Sequence, residues 1–256
     1  MCLILLAYDV HPEYRLILAA NRDEFYDRPT LPMAFWEDHP DILAGRDLKG
    51  GGTWLGMSRS GKFAAITNYR EPGGPKPGAP SRGHLVSAFL SGNSPSQDYL
   101  KAVSAVGQTY SGFNLIVGDA SGLYYYSNRG PGVRQLEPGW HGLSNHLLNT
   151  PWPKVEKGIA LLKAAVLNSD PVNMDPIFQL LKNREVPPDD RLPDTGVGME
   201  WERILSPMFI QSPGYGTRSS SVMLIGGNGR AQVAELTLSA ELDQEQHHAL
   251  QRSFQL

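Results

Sequence analysis

Apolar and polar positions follow two different periods along the chain. Residues 2–8 (CLILLAY) and 15–20 (RLILAA) are dense, short apolar runs of β type. The intervening 9–14 segment contains His11-Pro12, so the pattern predicts a hairpin that opens at the very first residues. A second pair is predicted over 53–58 and 62–69, turning at Arg59-Ser60-Gly61. Residues 71–83 (EPGGPKPGAPSRG) are too rich in Gly and Pro for regular structure and read as a loop. Helical spacing follows, with Ser96 placed as N-cap and Tyr99, Val103 and Val106 on one face. Strands are predicted at 113–119 and 123–128, joined by Ala120-Ser121-Gly122. A helix is then predicted from Trp152, with Val155, Ile159, Leu162 and Val166 on one stripe. Another follows Asp175 with Ile177, Leu180 and Leu181, and a short one lies near Trp201 after a loop over 187–194. Strand-like runs at 207–211, 219–225 and 231–239 precede a polar tail. Grouped helices and hairpin-type connections fit antiparallel sheets with helices packed on them, an α+β fold, better than a parallel βαβ sheet.

Composition narrows the class. Of 256 residues, 41% are hydrophobic and 19% charged, which excludes a disordered tail protein. The 27 Gly and 20 Pro argue for many turns and against a helical bundle. A net charge of −3 supplies no electrostatic reason to expect nucleic acid or an anionic membrane as partner. The single cysteine permits no internal disulfide and no thiolate metal cluster. The apolar start lacks a basic segment and is too short for a secretion signal, and no apolar run approaches the ~20 residues of a membrane span. A reducing, cytoplasmic setting without stable membrane insertion is the expectation. With no repeat and no composition break, residues 1–256 read as one domain.

Candidate chemistry begins at Cys2. Methionine aminopeptidases remove Met1 when a small residue follows, which exposes Cys2 as a terminus carrying both a thiol and an α-amine. That amine, with an ordinary pKa of about 7.7–8.0, can act as base for its own thiol; a retained Met1 removes this built-in base. The plainer reading of Cys2 is a small buried residue starting a strand. Asn21-Arg22-Asp23-Glu24, at the end of the second run, changes the balance. If Cys2 and Arg22 lie on paired strands, the guanidinium favours thiolate and Asp23 can hold the amine or the arginine. A solvated charge cluster is the competing reading. Gly50-Gly51-Gly52-Thr53 lacks the spacing of a phosphate-binding loop and leads into a strand, so a tight turn before Trp54 is predicted.

The segments NRDEFYDRP (21–29), AGRDLKGGGTWLGMS (44–58), FAAITNYRE (63–71), LSNHLLNTPWPKV (143–155) and YGTRSSSVMLI (215–225) resemble the NRDE-motif family, also called transport and Golgi organisation protein 2. The similarity runs from residue 2 to about 225. That family in turn resembles N-terminal-nucleophile hydrolases of the choloylglycine hydrolase and penicillin acylase group. The resemblance implies a four-layer αββα sandwich of two antiparallel sheets between helix layers. It implies Cys2 as nucleophile, Arg22 and Asp23 as the early Arg and Asp, and Arg218 as the late Arg. It also implies Asn68 and Asn145 as the two asparagines that donate to an oxyanion or hold the amine. Each asparagine taken alone also reads as a turn or strand-end residue.

Two functions follow from the resemblance. The first is a Cys-dependent amidohydrolase cleaving the amide or thioester bond of a small acyl substrate, with no cofactor and no metal. Arg22 and Arg218 then lower the thiol pKa or bind a substrate carboxylate. The second is intracellular haem trafficking, or acyl-CoA or lipid handling, in the same pocket without turnover, with haem as cargo. Haem has thin support among the seven histidines, of which His84, His141 and His146 flank the matched segments. Arg22, Lys49, Arg70 and Arg218 could serve an acyl-CoA phosphate. A third possibility is a hydrolase fold retained as a scaffold.

Overall fold

The computed structural model describes residues 2–238 and 249–256. The first hairpin forms where the apolar runs place it: β1 (Cys2–Tyr8) pairs antiparallel with β2 (Tyr14–Phe25) from Cys2↔Arg22 to Tyr8↔Leu16. β2 continues beyond the predicted end at residue 20, so Asn21-Arg22-Asp23-Glu24 lies inside the sheet and not at its margin. β3 (Thr30–Phe35) and β4 (Ile42–Asp47) escape the sequence pattern. β3 is an edge strand with Pro32 and an exposed Leu31, which leaves no alternation to read. β5 (Leu55–Ser58) and β6 (Phe63–Asn68) form the second predicted pair. Before them, the glycine segment makes a tight turn: Gly51 adopts φ +75° and its N–H bonds the Asp47 carbonyl at 2.7 Å. Gly52 has no room for a Cβ, which would meet the Gly83 carbonyl carbon at 2.4 Å.

α1 (Gly83–Ser91) starts directly after the Gly/Pro segment and buries Leu85, Val86, Phe89 and Leu90. α2 (Ser96–Val106) has Pro95, and not Ser96, at its N-cap; the Ser96 N–H is held by Asp119 Oδ2 at 2.7 Å. β7 (Phe113–Asp119), β8 (Gly122–Ser127), β9 (Arg134–Gln135) and β10 (Gly139–Leu143) follow. α3 (Pro153–Leu167) buries Val155, Leu162 and Val166 of the predicted stripe. α4 (Met174–Leu181) is capped by Asn173, whose side chain accepts from the Asp175 N–H. α5 (Met199–Leu205) is the short helix expected near Trp201. β11 (Gln211–Ser212), β12 (Tyr215–Gly226), β13 (Ala231–Leu238) and β14 (Ala249–Gln255) close the chain. Part of the expected polar tail is therefore a strand, paired along β13. Residue 239, the expected end of a strand, lies outside the described residues.

Among the described residues the strands form two antiparallel seven-stranded sheets. One has the order β10-β1-β2-β12-β13-β14, with β11 attached to β12; the other runs β3-β4-β5-β6-β7-β8-β9. The chain divides into two compact units. The first comprises the chain up to Asp27, Pro138–Ser144 and Leu148–Leu256 and contains the first sheet with α3, α4 and α5. Leu3, Leu5, Ile17, Ala19, Val222 and Leu224 on one sheet face pack with Val155, Leu162, Ile177 and Phe178 of the helices. The second unit, Arg28–Glu137 with Asn145–Leu147, contains the second sheet with α1 and α2. Its core joins Ala64, Ile66, Leu115 and Val117 to Leu85, Phe89, Leu100 and Val103. Strand residues of opposite parity, such as Ile4, Leu18, Ala65 and Ile116, are also fully buried. Both sheets therefore bury both faces, which is why their strands read as continuous apolar runs. No helix of the described residues is long and apolar enough to cross a membrane.

Candidate functional site

The site is built on the alternation of β2 in the first unit. Successive strand residues point to opposite faces, so Asn21 and Asp23 share the face carrying the helices, while Arg22 lies on the other. Asn21 is fully buried and structural: Nδ2 donates to the carbonyls of Leu181 and Met208 at 2.9 and 2.8 Å, and Oδ1 accepts from Ser220 Oγ at 2.6 Å. It fastens β2 to the end of α4, to the 206–210 connection and to β12.

Cys2 is directly opposite Arg22 in the strand register, and opposed residues of an antiparallel pair share a face. The thiol and the guanidinium thus lie on one side of the sheet, which decides for the paired-strand reading over a solvated charge cluster. The Ser144 hydroxyl donates to the Cys2 carbonyl at 3.1 Å and fixes the start of β1. Cys2 is 7% exposed and Arg22 6%. Burial pushes the Cys2 thiol up to about 11; the Asp23 charge adds to the rise, while Arg22 and a hydrogen bond from the Asp23 backbone oppose it. Arg22 Nη1 is buried without a hydrogen-bond partner among the described residues.

Asp23 is buried, and its Oδ1 accepts from Thr217 Oγ1 at 2.7 Å. Thr217 Oγ1 in turn accepts from the Ile210 N–H at 2.9 Å. Burial raises the Asp23 carboxyl above its ordinary value, against the opposing pull of Lys154, the Thr217 hydroxyl and Arg22. Lys154 is itself buried at the start of α3, with Nζ on the Leu205 carbonyl at 2.8 Å. Arg218 enters through a β-bulge. Thr217 pairs with Asp23 and Ser219 with Arg22, so Arg218 is the extra residue between them. The bulge reverses the parity of β12: Thr217 shares a face with Asp23, whereas Ser219 and Ser221 share one with Arg22. Arg218 Nη1 donates to the Phe25 carbonyl at 2.7 Å, and burial, then the like charge of Arg22, lowers its pKa.

The structure gathers four of the six sequence candidates, Cys2, Arg22, Asp23 and Arg218, in the first unit; Asn68 and Asn145 come together in the second. Asn145 is fully buried and its Nδ2 donates to the Asn68 carbonyl at 2.9 Å. Its own carbonyl accepts from the Arg70 N–H at 2.7 Å, so this pair closes the end of β6. Of the histidines, His84 is exposed on α1. His141 Nδ1 lies 3.1 Å from Asn149 Nδ2. His146 stacks at 5.0 Å on Tyr69, and burial lowers its pKa. No three His, Cys, Asp or Glu side chains of the described residues cluster to hold a metal ion.

Sequence reasoning missed Asn21 as a bolt, Thr217 and Lys154 as partners of Asp23, and Ser219 and Ser221 on the Cys2 face. The period-2 rule applied to NRDE separates Asn21 from Arg22. Nothing local marks Thr217 or the bulge. Chemically, the first unit offers a protonated buried thiol opposite a buried guanidinium, with a carboxyl held rigidly at the next residue.

The chain matches the family model described as Transport and Golgi organisation 2 over residues 1–240. It is 39% identical over 279 aligned positions to the Transport and Golgi organization protein 2 homolog of Homo sapiens, covering 100% of this chain and 98% of that one. The Mus musculus homolog is 40% identical over 262 positions, 93% of each chain. Among solved structures, it is similar to the Caenorhabditis elegans N-acylethanolamine-hydrolyzing acid amidase ortholog. That match has a TM-score of 0.50 at 12% identity and covers 87% of this chain and 92% of the other. This likeness shows the fold: the α+β sandwich class of N-terminal-nucleophile hydrolases, to which two helix-bearing antiparallel sheets conform.

Proposed function

This chain belongs to the Transport and Golgi organisation 2 family, and we propose that it is a latent N-terminal-nucleophile amidohydrolase whose thiol is unmasked by loss of Met1. The observation that carries this reading is the placement of Cys2 opposite Arg22 on one sheet face, with Asp23, the next residue of β2, fixed by Thr217 on the other. While Met1 is attached, a thiol pushed up to about 11 is ionised in only about one molecule in 10⁴ at pH 7. Removal of Met1 puts a free α-amine on Cys2 itself. That amine takes the thiol proton as Sγ attacks the carbonyl carbon of an amide or thioester. The C–N or C–S bond breaks, the amine or thiol leaves with that proton, and water then hydrolyses the Cys2 thioester to the acid. No cofactor takes part, and a reducing cytoplasm keeps Cys2 competent.

A second reading rests on the same buried thiol. In it the same pocket holds haem, with Cys2 ionised as the thiolate ligand, or an acyl-CoA, without turnover. The transport in the relatives' names accords with a cargo-handling role.

The test is the intact mass of untagged protein, followed by iodoacetamide labelling at pH 7 and a panel of amides and thioesters. Loss of Met1, rapid labelling at Cys2 alone, and turnover abolished by Cys2→Ala support the hydrolase. Retained Met1 with a slow thiol and no turnover overturns it, and haem and acyl-CoA titrations then decide the second reading.

A further inference from the structure

The three serines of GTRSSS divide their work. Ser220 is bonded to Asn21, on the helix-bearing face. Ser219 and Ser221, placed by the bulge, lie on the face of Cys2 and Arg22. Ser219 is directly opposite Arg22, and Ser221, opposite Ala20, is its diagonal neighbour. Strands are spaced by about 4.8 Å, and diagonal pairs on one face remain within reach of a long side chain. Ser221 is 0% exposed, and its Oγ has no hydrogen-bond partner among the described residues. The same holds for Arg22 Nη1. Two buried donors without acceptors, side by side on the nucleophile's face, are costly in an empty site. One acceptor-rich group satisfies both. Among the described residues, two acids share this face: Glu24, two residues along β2 from Arg22, accepts from the Phe25 N–H at 3.0 Å, and Glu235, one strand further on and opposite both Ser221 and Arg252, accepts from Thr237 Oγ1 at 3.1 Å. The serine pair lies between Glu235 and Arg22.

We propose that Arg22, Ser219 and Ser221 form a subsite for an oxyanionic group, a carboxylate or a phosphate, carried by the substrate close to its reacting carbonyl. This rests on the Cys2 reading above and names the substrate class for it. The favoured substrates are acyl compounds bearing such an anion, and neutral isosteres are rejected because they leave the guanidinium without a charged acceptor.

Binding is measured by calorimetry on the Cys2→Ala protein, which cannot turn over, with three probes: N-acetylglycine, its neutral counterpart N-acetylglycinamide, and inorganic phosphate. The acid or phosphate is expected to bind at least about tenfold tighter than the amide, and which of the two does so identifies the carboxylate or the phosphate source. Arg22→Met is expected to remove that preference, and Ser219→Ala with Ser221→Ala to weaken acid binding by about tenfold while the melting temperature is kept. Equal binding of acid and amide, no binding of any probe, a preference that survives Arg22→Met, or acid binding untouched by the double serine substitution overturns the subsite. A protein in which Cys2 performs no chemistry but the anion preference persists refutes only the hydrolase reading. Turnover without the preference refutes only the subsite.

Discussion

Asn21 and Arg22 are consecutive residues of one strand, both buried, and they face opposite environments. Asn21 has both amide hydrogens and its oxygen engaged with three different elements of the first unit. Among the described residues, Arg22 keeps a buried guanidinium nitrogen without an acceptor, on the face of the thiol. The difference teaches how to separate scaffold from site in a buried polar motif: saturated hydrogen bonding marks a bolt, and spare donors mark a place for a ligand. NRDE, read as one charged patch, is two functions back to back.

The largest effect expected from this contrast is on stability. Asn21→Leu orphans two carbonyls and a hydroxyl and is expected to cost about 3–5 kcal/mol. Arg22→Met removes a charge with an unmet donor and is expected to stay within about 1 kcal/mol of wild type. Urea unfolding of the two variants checks this, and the reverse order would break the distinction.

The next effect is on pH dependence. In protein that retains Met1, the Cys2 thiol titrates at about 11 when folded, against an ordinary 9.0. Between these values the folded state binds the proton more tightly, so the contribution is fully present below pH 9 and is lost as pH rises through 11. The expected loss is about 2–3 kcal/mol. Unfolding followed from pH 8 to 11 shows it as a difference between wild type and Cys2→Ala, because other titrating groups are common to both. A flat difference would mean that the thiol is not desolvated.

Smaller still is Thr217→Val, which removes one hydrogen bond to Asp23 and one to the Ile210 N–H. It is expected to cost about 1–3 kcal/mol. The smallest effect is expected in the second unit, where Arg129 and Glu71 form a two-bond pair at the surface. Glu71→Gln is expected to cost under about 1 kcal/mol and progressively less with added salt. Thermal unfolding of both variants places them on one scale, and a larger cost for the surface pair would reverse the order that burial sets.

Much of this was legible in the residues. The apolar runs gave β1, β7, β8, α3 and α4 because one-sided or continuous burial leaves a strong periodic trace. β3, α1 and β14 left a weaker one: β3 is a half-exposed edge, α1 emerges from a Gly/Pro segment, and β14 sits in a polar stretch. The sequence alone determined the family and the main strands of the two antiparallel sheets, and it raised the Cys2–Arg22 pairing as one of two readings, between which the extension of β2 to Phe25 decided. Only the tertiary structure decided the bulge at Arg218, the Thr217–Asp23 bond, the approach of Lys154 and the serines that face the thiol. These depend on β12 and α3 returning to β2 from more than a hundred residues away. The burial that raises the Cys2 pKa was decided there too, because desolvation belongs to the packed surroundings of a residue and not to the residue itself.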